Sequence, residues 1–391
     1  MTTVTLHKGK EHRVLSGHPW VFRSDIQRVD GADGEYVARV LSHWGRFLAM
    51  AVYNPRSQIA LRLLSRQEEP IDRAFIFRRV KRAIDYRRAF ADLTSCRLIF
   101  SESDGLPAVI ADAFGGTVVL QNLCLGMAGF QRDIVDALAE ELCPDGIYER
   151  NDAPVRSLEG MPLSTGVLYG TVPDRVEMME NGLRFWVDIK QGQKTGYFLD
   201  QKENRAAIAP FVKSAKVLDC FTHTGGFALH AARYGAAEVI GVDVSTHACA
   251  CAAENAALNA LEGQVRFACV NAFDYLRLAQ SRHEQYDMVI LDPPAFTKTR
   301  ANLTGALRGY KEINLRAMKL VRDGGYLVTC SCSHHVLPPI FLQMLLDAQK
   351  DARAQLRQVE FRTQGRDHPI LPASPETQYL KCGIFQVFHR D

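Results

Sequence analysis

Two short segments in the last third of the chain place an acid and a thiol where they could act together. Residues 292–296 read Asp-Pro-Pro-Ala-Phe and residues 329–333 read Thr-Cys-Ser-Cys-Ser, and both lie at the end of a short apolar run that predicts a strand. Two prolines stiffen the first segment and remove backbone donors. Because neighbouring parallel strands end at the same edge of a sheet, Asp292 and Cys332 are expected to lie side by side. An acid beside a thiol indicates covalent catalysis.

A glycine-bearing loop from Asp219 to Phe227 predicts a nucleotide-like cofactor. Gly225 and Gly226 would let a ligand approach the backbone after the first strand of a parallel sheet. The second strand ends at Asp243, 17 residues after the glycines, where a carboxylate can accept hydrogen bonds from ribose hydroxyls. The loop lacks G-x-G-x-x-G and begins with an acid that would repel a pyrophosphate but suits the amino acid end of S-adenosylmethionine (SAM). The sequence therefore favours SAM over NAD.

The residues that follow the third strand allow two interpretations. Asn271 and Ala272 could address an adenine ring, but an asparagine at such a position equally often caps the helix that follows. The sequence leaves both interpretations open.

The thiol segment also invites a zinc interpretation, because Cys330, Cys332, His334 and His335 offer donors that zinc prefers. Alternation along a strand puts both thiols on one face with too little span to surround a tetrahedral ion, so no metal is expected. The two histidines are candidates to help Cys332 toward the thiolate, although the pattern slightly favours plain loop residues.

The elements that must position these groups form an α/β pattern after residue 200. Five short apolar runs are separated by helical lengths, which predicts a doubly wound, mostly parallel, Rossmann-like sheet. Two further runs joined only by a loop predict an antiparallel edge pair. The predicted strands are Val217–Cys220, Val239–Asp243, Val265–Val270, Met288–Asp292, Tyr326–Ser331, Val359–Gln364 and Cys382–Phe388.

The first 188 residues predict two smaller domains ahead of the parallel-sheet domain, which would span 189–391. Short β-like runs with glycine-bearing turns in residues 1–68 predict a small β-barrel. Residues 69–188 predict an α+β linking domain, with a Gly-Gly turn at 115–116 and an Asn-Gly hairpin turn at 181–182.

Positive charge is concentrated in the N-terminal quarter of the chain. Residues 1–100 carry 18 Lys and Arg against 10 Asp and Glu, whereas the remainder carries 29 against 34. Many of these cations lie in a predicted amphipathic helix over residues 70–91, which we expect to contact nucleic acid phosphates. Its apolar positions are Ala74, Phe77, Val80 and Ile84. In the barrel, core positions are expected for Trp20, Phe22 and Trp44.

The length and composition of the chain limit the classes of protein to which it can belong. With 391 residues and 47% apolar side chains, the chain can build more than one core. It has no run of about 20 apolar residues, and His7, Lys8 and Lys10 precede any apolar stretch, which argues against a membrane span and against secretion. Ten cysteines without C-x-x-C spacing are expected to be reduced thiols. We therefore expect a cytoplasmic protein.

Taken together, the motifs resemble those of class I SAM-dependent RNA methyltransferases, and most closely the RlmI-like large-subunit rRNA cytosine-C5 methyltransferases. The resemblance spans nearly the whole chain and includes an N-terminal segment similar to the start of a PUA RNA-binding domain. Besides the Asp219 loop, it is carried by Lys8–Glu11, Gly17–Phe22, Thr195–Gln201, Asp292–Pro294, Gly309–Asn314, Ser331–Ser333 and Asp367–Pro369.

This resemblance implies how the acid and the thiol work. Carbon 5 of cytosine is a poor nucleophile, so Cys332 would add to carbon 6 while Asp292 hydrogen-bonds or protonates the ring nitrogen. A base that the sequence does not identify would then remove the carbon 5 proton. The implied partner is large-subunit (23S) ribosomal RNA or an assembly intermediate. The sequence leaves open whether the chain forms a homodimer.

The predicted site thus has Cys332 and Asp292 as catalytic residues. Two positions depart from the pattern of the resembled family, because Ala295 stands where its members often carry lysine and Cys330 adds a thiol beside Cys332. The predicted SAM-binding residues are Gln201, Arg205, Asp219, Phe221, Thr224, Gly225, Gly226, Phe227, Asp243, Val244, Ser245, Asn271, Ala272, Asp292 and Pro293.

Two other functions stay open on the sequence alone. An Asp-Pro-Pro turn followed by an aromatic residue also serves enzymes that methylate a base nitrogen, such as guanine N7 or an exocyclic amine. Those enzymes need no thiol, so Cys332 discriminates against them. A non-catalytic RNA-binding assembly factor on the same scaffold would have no reason to keep Asp219, Asp243, Asp292 and Cys332 together.

Overall fold

The computed structural model describes residues 1–32, 34–297 and 299–389, and the chain divides into two compact units. Within the described ranges, no helix is both long and apolar enough to cross a bilayer. Both units are discontinuous in sequence, which periodicity does not reveal, and the predicted domain boundaries after residues 68 and 188 stay a prediction. The first unit comprises Met1–Met178, Val187–Asp200 and Arg366–Thr377, and the second comprises Met179–Trp186, Gln201–Gly365 and Gln378–Asp391.

The first unit begins with a six-stranded sheet where the sequence predicts a small β-barrel. Its elements are β1 (Thr2–Leu6), α1 (Glu11–Leu15), β2 (Trp20–Val21), β3 (Ile26–Asp30), β4 (Val37–Leu41), β5 (Phe47–Tyr53) and β6 (Leu61–Ser65). The strand order is β2-β6-β5-β4-β1-β3, and only β1 and β4 pair in parallel. Alternating apolar residues of the strands, such as Val4 and Leu6, form one core with Val14 of α1.

The aromatic residues of this sheet are more exposed than the sequence predicts. Trp44 is 74% exposed. The core prediction is therefore wrong for Trp44, because it lies in the tight turn between β4 and β5 rather than on a strand. Trp20 is half-buried, and its indole N–H donates to Glu102 at 2.8 Å. A tryptophan in this setting presents an apolar body and a polar end.

The remainder of the first unit packs helices against a five-stranded sheet. Its elements are α2 (Arg73–Arg88), β7 (Ser95–Phe100), β8 (Val109–Phe114), β9 (Thr117–Asn122), α3 (Gln131–Leu142), β10 (Gly146–Asn151), α4 (Val155–Leu158) and β11 (Ser164–Gly170). The strand order is β11-β10-β9-β8-β7. The predicted Gly-Gly turn joins β8 to β9, and Asp72 caps α2 by accepting from the N–H of Phe75.

Helix α2 buries a wider face than its apolar pattern predicts. Val80 and Ile84 are buried as expected, but Ala74 is exposed, whereas Phe75 and the guanidinium of Arg87 are buried. The reason is that α2 packs against both α3 and β7, so its buried arc covers adjacent positions in the sequence.

Most of the cations of α2 are held by neighbouring acids. Pairs within 4 Å join Arg73 to Asp133 and Asp136, Arg78 to Glu69, Lys81 to Asp85 and Glu141, Arg87 to Asp104, and Arg88 to Asp85 and Glu141. Such pairs leave little net charge for a ligand. Arg66, Arg79 and Arg82, together with Arg78, line a cavity of about 560 Å³ within the first unit. The expectation that α2 binds phosphate stays a prediction, and the part of α2 to which it now applies is the part that lines this cavity.

Asp367 joins a later segment of the chain to α2 and β7 within the first unit. Its Oδ2 atom accepts from the N–H of Arg97, its Oδ1 atom lies 2.8 Å from Nδ1 of His368, and its carbonyl oxygen accepts from Arg87. Burial raises the pKa of Asp367, but His368 and Arg97 outweigh burial and bring the pKa to about 2. The Asp-His-Pro segment is therefore a structural joint in this unit.

Replacing Asp367 with asparagine is expected to destabilise the protein by about 2 kcal/mol at pH 7. A carboxyl group whose pKa lies about two units below its ordinary value contributes this order of stability. The contribution is complete above the unfolded-state pKa of about 4 and disappears as the pH falls towards 2. Urea unfolding of both proteins at pH 7 and pH 3 measures it, and an equal difference at the two pH values would contradict the assignment.

The predicted hairpin is formed by β12 (Arg175–Glu180) and β13 (Leu183–Asp188). Asn181 and Gly182 have φ values of 51° and 79°, the left-handed pair that an Asn-Gly turn favours. The tip of the hairpin belongs to the second unit, where Asn255 accepts from the N–H of Trp186 at 2.8 Å.

The second unit contains the predicted parallel sheet with an antiparallel edge. Its elements are α5 (Lys202–Ala207), β14 (Lys216–Cys220), α6 (Gly226–Arg233), β15 (Glu238–Asp243), α7 (Thr246–Leu258), β16 (Val265–Cys269), α8 (Ala272–Ser281), β17 (Tyr286–Leu291), α9 (Leu303–Leu320), β18 (Val321–Ser331), α10 (Pro338–Ala352), β19 (Ala354–Arg362) and β20 (Lys381–His389). The strand order is β16-β15-β14-β17-β18-β20-β19, in which β20 pairs antiparallel with both neighbours. Strand addition changes direction between β14 and β17, and ligands bind at such switch points.

Candidate active site

The carboxyl ends of β14, β17 and β18 meet at one edge of the parallel sheet. Cys220 lies opposite Leu291 in the register, and Leu291 lies opposite Thr329. Asp292 and Cys332 therefore leave neighbouring strands at the same edge, as the sequence predicts. The Sγ atom of Cys332 lies 3.9 Å from the carbonyl oxygen of Pro293, so the thiol contacts the Asp-Pro-Pro turn.

The loop after β14 has a backbone that few residues tolerate. Phe221 and His223 have φ values of 65° and 52°, a left-handed conformation that costs roughly 1–2 kcal/mol for residues with a side chain, and Gly225 follows at 88°. Gly226 must lack a side chain, because a Cβ atom there would lie 2.7 Å from Nε of Arg205. These left-handed residues turn the chain so that the N terminus of α6 lies at the sheet edge, where its N–H groups can face a ligand.

Asp219 is fully buried and has one oxygen atom without a partner. Its Oδ2 atom accepts from the hydroxyl of Thr222 at 2.6 Å and from the N–H of Ala228 at 2.9 Å. Its Oδ1 atom has no hydrogen-bond partner among the residues that the structure describes. Burial raises the pKa of Asp219 to about 7. An ammonium group would satisfy this oxygen and compensate its charge, so the site fits the amino acid end of SAM.

Asp243 joins the glycine loop to the loop after β15. One carboxylate oxygen accepts from the N–H of His223 and the other from the N–H of Ser245, each at 2.9 Å. Each carboxylate oxygen can accept a second bond, which suits ribose hydroxyls. Of the adjacent predicted residues, Val244 is exposed and Ser245 caps α7 by accepting from the N–H of Ala248.

The structure places Asn271 as a helix cap, one of its two interpretations. Its Oδ1 atom accepts from the N–H of Phe273 at 2.9 Å, and Ala272 is buried at the start of α8. Two other predicted residues lie in the glycine loop. Thr224 accepts from Asn255 through its carbonyl oxygen, and Phe227 is buried. An adenine contact by Asn271 therefore stays a prediction.

Arg205 lies behind the glycine loop and forms a buried ion pair. Its Nη1 atom donates to Glu180 at 2.8 Å, and Nε2 of His230 lies 3.7 Å from the same carboxylate oxygen. Burial lowers the pKa of His230 to about 4, so this histidine is neutral. The pair joins the hairpin tip to α5, which gives Arg205 a structural role beside its predicted contact with SAM.

Asp292 is oriented by two amide side chains. Gln201 donates from Nε2 to Oδ1 of Asp292 at 2.9 Å, and Asn204 donates to Oε1 of Gln201 at 2.6 Å. Asn204 also donates to the carbonyl oxygen of Thr363, which anchors the chain of hydrogen bonds to β19 and its following loop. The predicted residue Gln201 thus positions Asp292, the predicted catalytic acid, in addition to any contact with SAM.

The two serines around Cys332 are fixed by one tyrosine. Tyr310 on α9 is fully buried, and its hydroxyl lies 3.0 Å from Oγ of Ser331 and 2.9 Å from Oγ of Ser333. Both serines are fully buried, whereas Cys332 between them is half-buried. The Ser-Cys-Ser sequence therefore holds the thiol in one place while leaving it accessible.

Aromatic rings form a wall beside the thiol and the glycine loop. The ring of Phe296 lies 4.6 Å from that of Tyr310, 5.9 Å from Phe273 and 6.4 Å from Phe221. These four residues come from α8, α9 and the loops that follow β14 and β17. Tyr310 is fully buried and the three phenylalanines are half-buried, and such a wall suits a planar base or the adenine of a cofactor.

Cys330 and His334 are less suited than Cys332 to act as a nucleophile at this site. Cys330 is fully buried opposite Cys382, and burial raises the pKa of the Cys330 thiol. His334 is exposed, with its ring 5.6 Å from that of Tyr379. In the described part of the chain, no group of three or more His, Cys, Asp or Glu side chains is arranged to hold a metal ion.

Sequence reasoning assigned no role to three residues of this site, namely Asn204, Tyr310 and Lys381. Lys381 is only 2% exposed and donates to the carbonyl oxygens of Ser333 and Tyr379, both at 2.8 Å. The Gly-Tyr-Lys-Glu-Ile-Asn segment was a signal for Tyr310. Only the register of β18 against β20, which pairs Ser331 with Lys381, brings the lysine to the backbone of the residues that flank the thiol.

The buried acid at the end of β14, the glycine loop and the strand order together define a class I SAM-dependent methyltransferase. A family model described as S-adenosylmethionine-dependent methyltransferase matches residues 155–382, and one described as PUA-like domain matches residues 4–66. Both agree with the fold and the cofactor that the sequence predicts.

Comparison with whole proteins gives the particular family. The chain is 40% identical over 387 residues to ribosomal RNA large subunit methyltransferase I of Aeromonas salmonicida, with 97% of each chain covered. It is 41% identical to the protein of that name from Tolumonas auensis, covering 97% of this chain and 98% of the relative. A SAM-dependent methyltransferase structure from Streptococcus mutans shares the fold at 20% identity, with a TM-score of 0.84 over 99% of this chain and 100% of that one. The chain belongs to the ribosomal RNA large subunit methyltransferase I family.

Proposed function

We propose that this enzyme methylates carbon 5 of a cytosine in large-subunit ribosomal RNA through a covalent bond between Cys332 and the base. The observation that carries the proposal is the half-buried thiol held against the Asp292 turn at the carboxyl edge of the sheet. Methylation of a base nitrogen would need the acid and the aromatic wall but no nucleophile. The name that the relatives share, ribosomal RNA large subunit methyltransferase I, supports large-subunit ribosomal RNA as the substrate.

The proposed reaction uses the thiol first as a nucleophile and then as a leaving group. The thiolate of Cys332 bonds to carbon 6, and the electrons of the 5,6 double bond move into the ring, where Asp292 donates a hydrogen bond or a proton to the ring nitrogen. SAM supplies an electrophilic methyl group on its sulfonium. Carbon 5 then takes that methyl group, which leaves the sulfonium as a neutral thioether, and the ring nitrogen returns any proton to Asp292. A base removes the carbon 5 proton, and the 5,6 double bond re-forms as the thiolate leaves.

The first unit has features suited to holding the RNA. Arg66, Arg79 and Arg82 line its cationic cavity, and Arg79 has a buried Nε atom without a partner in the described ranges. Trp44 offers an exposed ring with Nζ of Lys8 at 5.9 Å from the ring centre. Cations that meet phosphates and an aromatic ring that stacks on bases are the usual elements of single-strand binding.

Nucleoside analysis of the product tests this proposal. The native enzyme is incubated with SAM and unmethylated large-subunit RNA, offered both as naked RNA and as assembled subunits, and the digested nucleosides are analysed by mass spectrometry. The expected product is 5-methylcytidine. A methylated guanine or adenine would instead favour nitrogen methylation, and the absence of any SAM-dependent product on both substrates would favour the assembly-factor interpretation.

A further inference from the structure

We propose that Lys381 is a positioning residue whose buried ammonium group holds the thiol of Cys332 in the thiolate form. The inference deepens the proposed function and rests on it for its role in catalysis, but the state of the thiol can be measured without RNA. A cysteine reacts as the thiolate, and a neighbouring cation is a common way to stabilise that form.

Lys381 lies beside the backbone of the two serines that flank Cys332. The register of β18 and β20 sets Lys381 opposite Ser331, on the N-terminal side of Cys332. The Nζ atom of Lys381 donates to the carbonyl oxygen of Ser333, on the C-terminal side. The side chain of Lys381 therefore lies along the backbone of the Ser-Cys-Ser segment, close enough for the charge of Cys332 to act on its ammonium group.

The hydrogen bonds of Lys381 favour an ammonium donor over a neutral base. Its two hydrogen-bond partners, the carbonyl oxygens of Ser333 and Tyr379, are acceptors at 2.8 Å. Burial lowers the pKa of Lys381 to about 8, and the charge of Cys332 acts in the opposite direction. Below that pH the amine stays protonated, and because such coupling is reciprocal, the ammonium group favours the negative charge on sulfur.

Lys381 also lacks the counter-ion that a buried cation needs. It makes no ion pair with a carboxylate in the part of the chain that the structure describes, although only 2% of it is exposed. Buried charges are normally paired, because desolvation of an isolated ion is costly. The thiolate of Cys332 would supply the missing negative charge.

Among the residues that the structure describes, three further titratable groups near Cys332 are not buried cations. Asp292 follows β17 and is an acid, Tyr310 on α9 is neutral because burial raises its pKa, and His334 is exposed. On the adjoining strand β19, Arg362 is paired with Glu360 at 2.8 Å. Of these described groups, Lys381 is the buried cation whose charge acts on Cys332.

The test is the pH dependence of alkylation of Cys332 by iodoacetamide in enzyme without RNA, followed peptide by peptide with mass spectrometry. The exposed thiols Cys143 and Cys269 in the same sample are internal controls. In the native enzyme, the pH midpoint for Cys332 is expected at least one unit below that of the controls. A native midpoint equal to theirs would overturn the proposal without any variant.

Two variants separate charge from shape. Lys381→Gln keeps a hydrogen-bond donor without the charge, and it is expected to raise the midpoint of Cys332 by at least one unit and to slow alkylation at pH 7 about tenfold. Lys381→Arg keeps the charge and is expected to restore most of the native midpoint. An unchanged midpoint in folded Lys381→Gln enzyme, or no rescue by arginine, would contradict the assignment.

The failure of the proposed function would appear differently. If nucleoside analysis gave no 5-methylcytidine while the midpoint of Cys332 still depended on Lys381, the thiolate assignment would stand and the cytosine chemistry would fall. If 5-methylcytidine formed but the pH midpoint of Cys332 did not depend on Lys381, the cytosine chemistry would stand and the thiolate assignment would be wrong.

Discussion

Replacement of Cys332 by alanine is expected to reduce 5-methylcytidine formation by at least about 10⁴-fold, because carbon 5 of cytosine has no other route to nucleophilic character in this site. SAM binding should stay near the native level, since the predicted cofactor contacts lie on other strands. The measurement is single-turnover methylation of large-subunit RNA, followed by nucleoside mass spectrometry, together with calorimetric titration of SAM.

A matched control for that experiment is Cys143→Ala, which removes an exposed thiol from the first unit. This variant should methylate at the native rate. If Cys332→Ala enzyme still made 5-methylcytidine at a rate close to that of the control, the covalent mechanism would be wrong even though the methyltransferase assignment would remain.

Replacement of Asp219 by asparagine is expected to weaken SAM binding about 100-fold, since loss of a charge-assisted hydrogen bond at a buried site costs roughly 2–3 kcal/mol. In the native protein, affinity for SAM should rise as the pH increases through about 7, where the buried carboxyl group loses its proton. Calorimetric titrations of both proteins between pH 5.5 and pH 8 measure the two effects.

The same variant should be more stable than the native protein when SAM is absent. Folded Asp219 keeps its proton up to about pH 7, whereas an unfolded aspartate loses it near 4, so native stability falls as the pH rises through this window. Asparagine does not ionise and avoids that loss. The free energy of unfolding of the variant is therefore expected to be higher by on the order of 2–4 kcal/mol at pH 8 and by almost nothing at pH 4. Asp274→Asn, at an exposed position on α8, is the control. Unchanged SAM affinity in Asp219→Asn would refute the assignment.

The parallel sheet and the edge that carries the candidate site could be predicted from the sequence because they depend on local patterns. Apolar runs of strand length separated by helical lengths determine a doubly wound sheet, and the rule that ligands bind at carboxyl ends then places Asp219, Asp292 and Cys332 together. The left-handed conformations of Asn181-Gly182 and Gly225 are also local, since glycine or asparagine at these positions indicates the turn.

Features that depend on long-range register could not be predicted. Lys381 reaches the carbonyl oxygen of Ser333 beside the thiol only because β20 pairs antiparallel with β18 in one register, and a shift of one residue would have turned the lysine to the other face. The buried face of α2 depends on contact with both α3 and β7, so the helical pattern alone misplaced Ala74. Trp44 is apolar, yet its position in a tight turn outweighs that preference.

Some assignments depend on how a side chain divides its hydrogen bonds, which composition does not encode. Asn271 caps a helix, one of the two roles that the sequence left open, and Gln201 orients Asp292, whereas their predicted contacts with the cofactor stay predictions. Arg205 likewise forms a buried pair with Glu180, a residue more than 20 positions earlier in the chain. Sequence spacing identified these residues as important but could not determine the atoms that they contact.

The most direct test of the central claim is to trap the covalent bond. RNA containing 5-fluorocytidine is incubated with native enzyme and SAM, because after methylation the fluorine on carbon 5 cannot be removed as a proton is, and the thiol cannot leave. We expect a stable, SAM-dependent adduct in which the peptide bearing Cys332 carries the methylated fluorinated base, and no such adduct with Cys332→Ala. An adduct on another cysteine, or none under conditions in which unmodified RNA is methylated at carbon 5, would contradict the account.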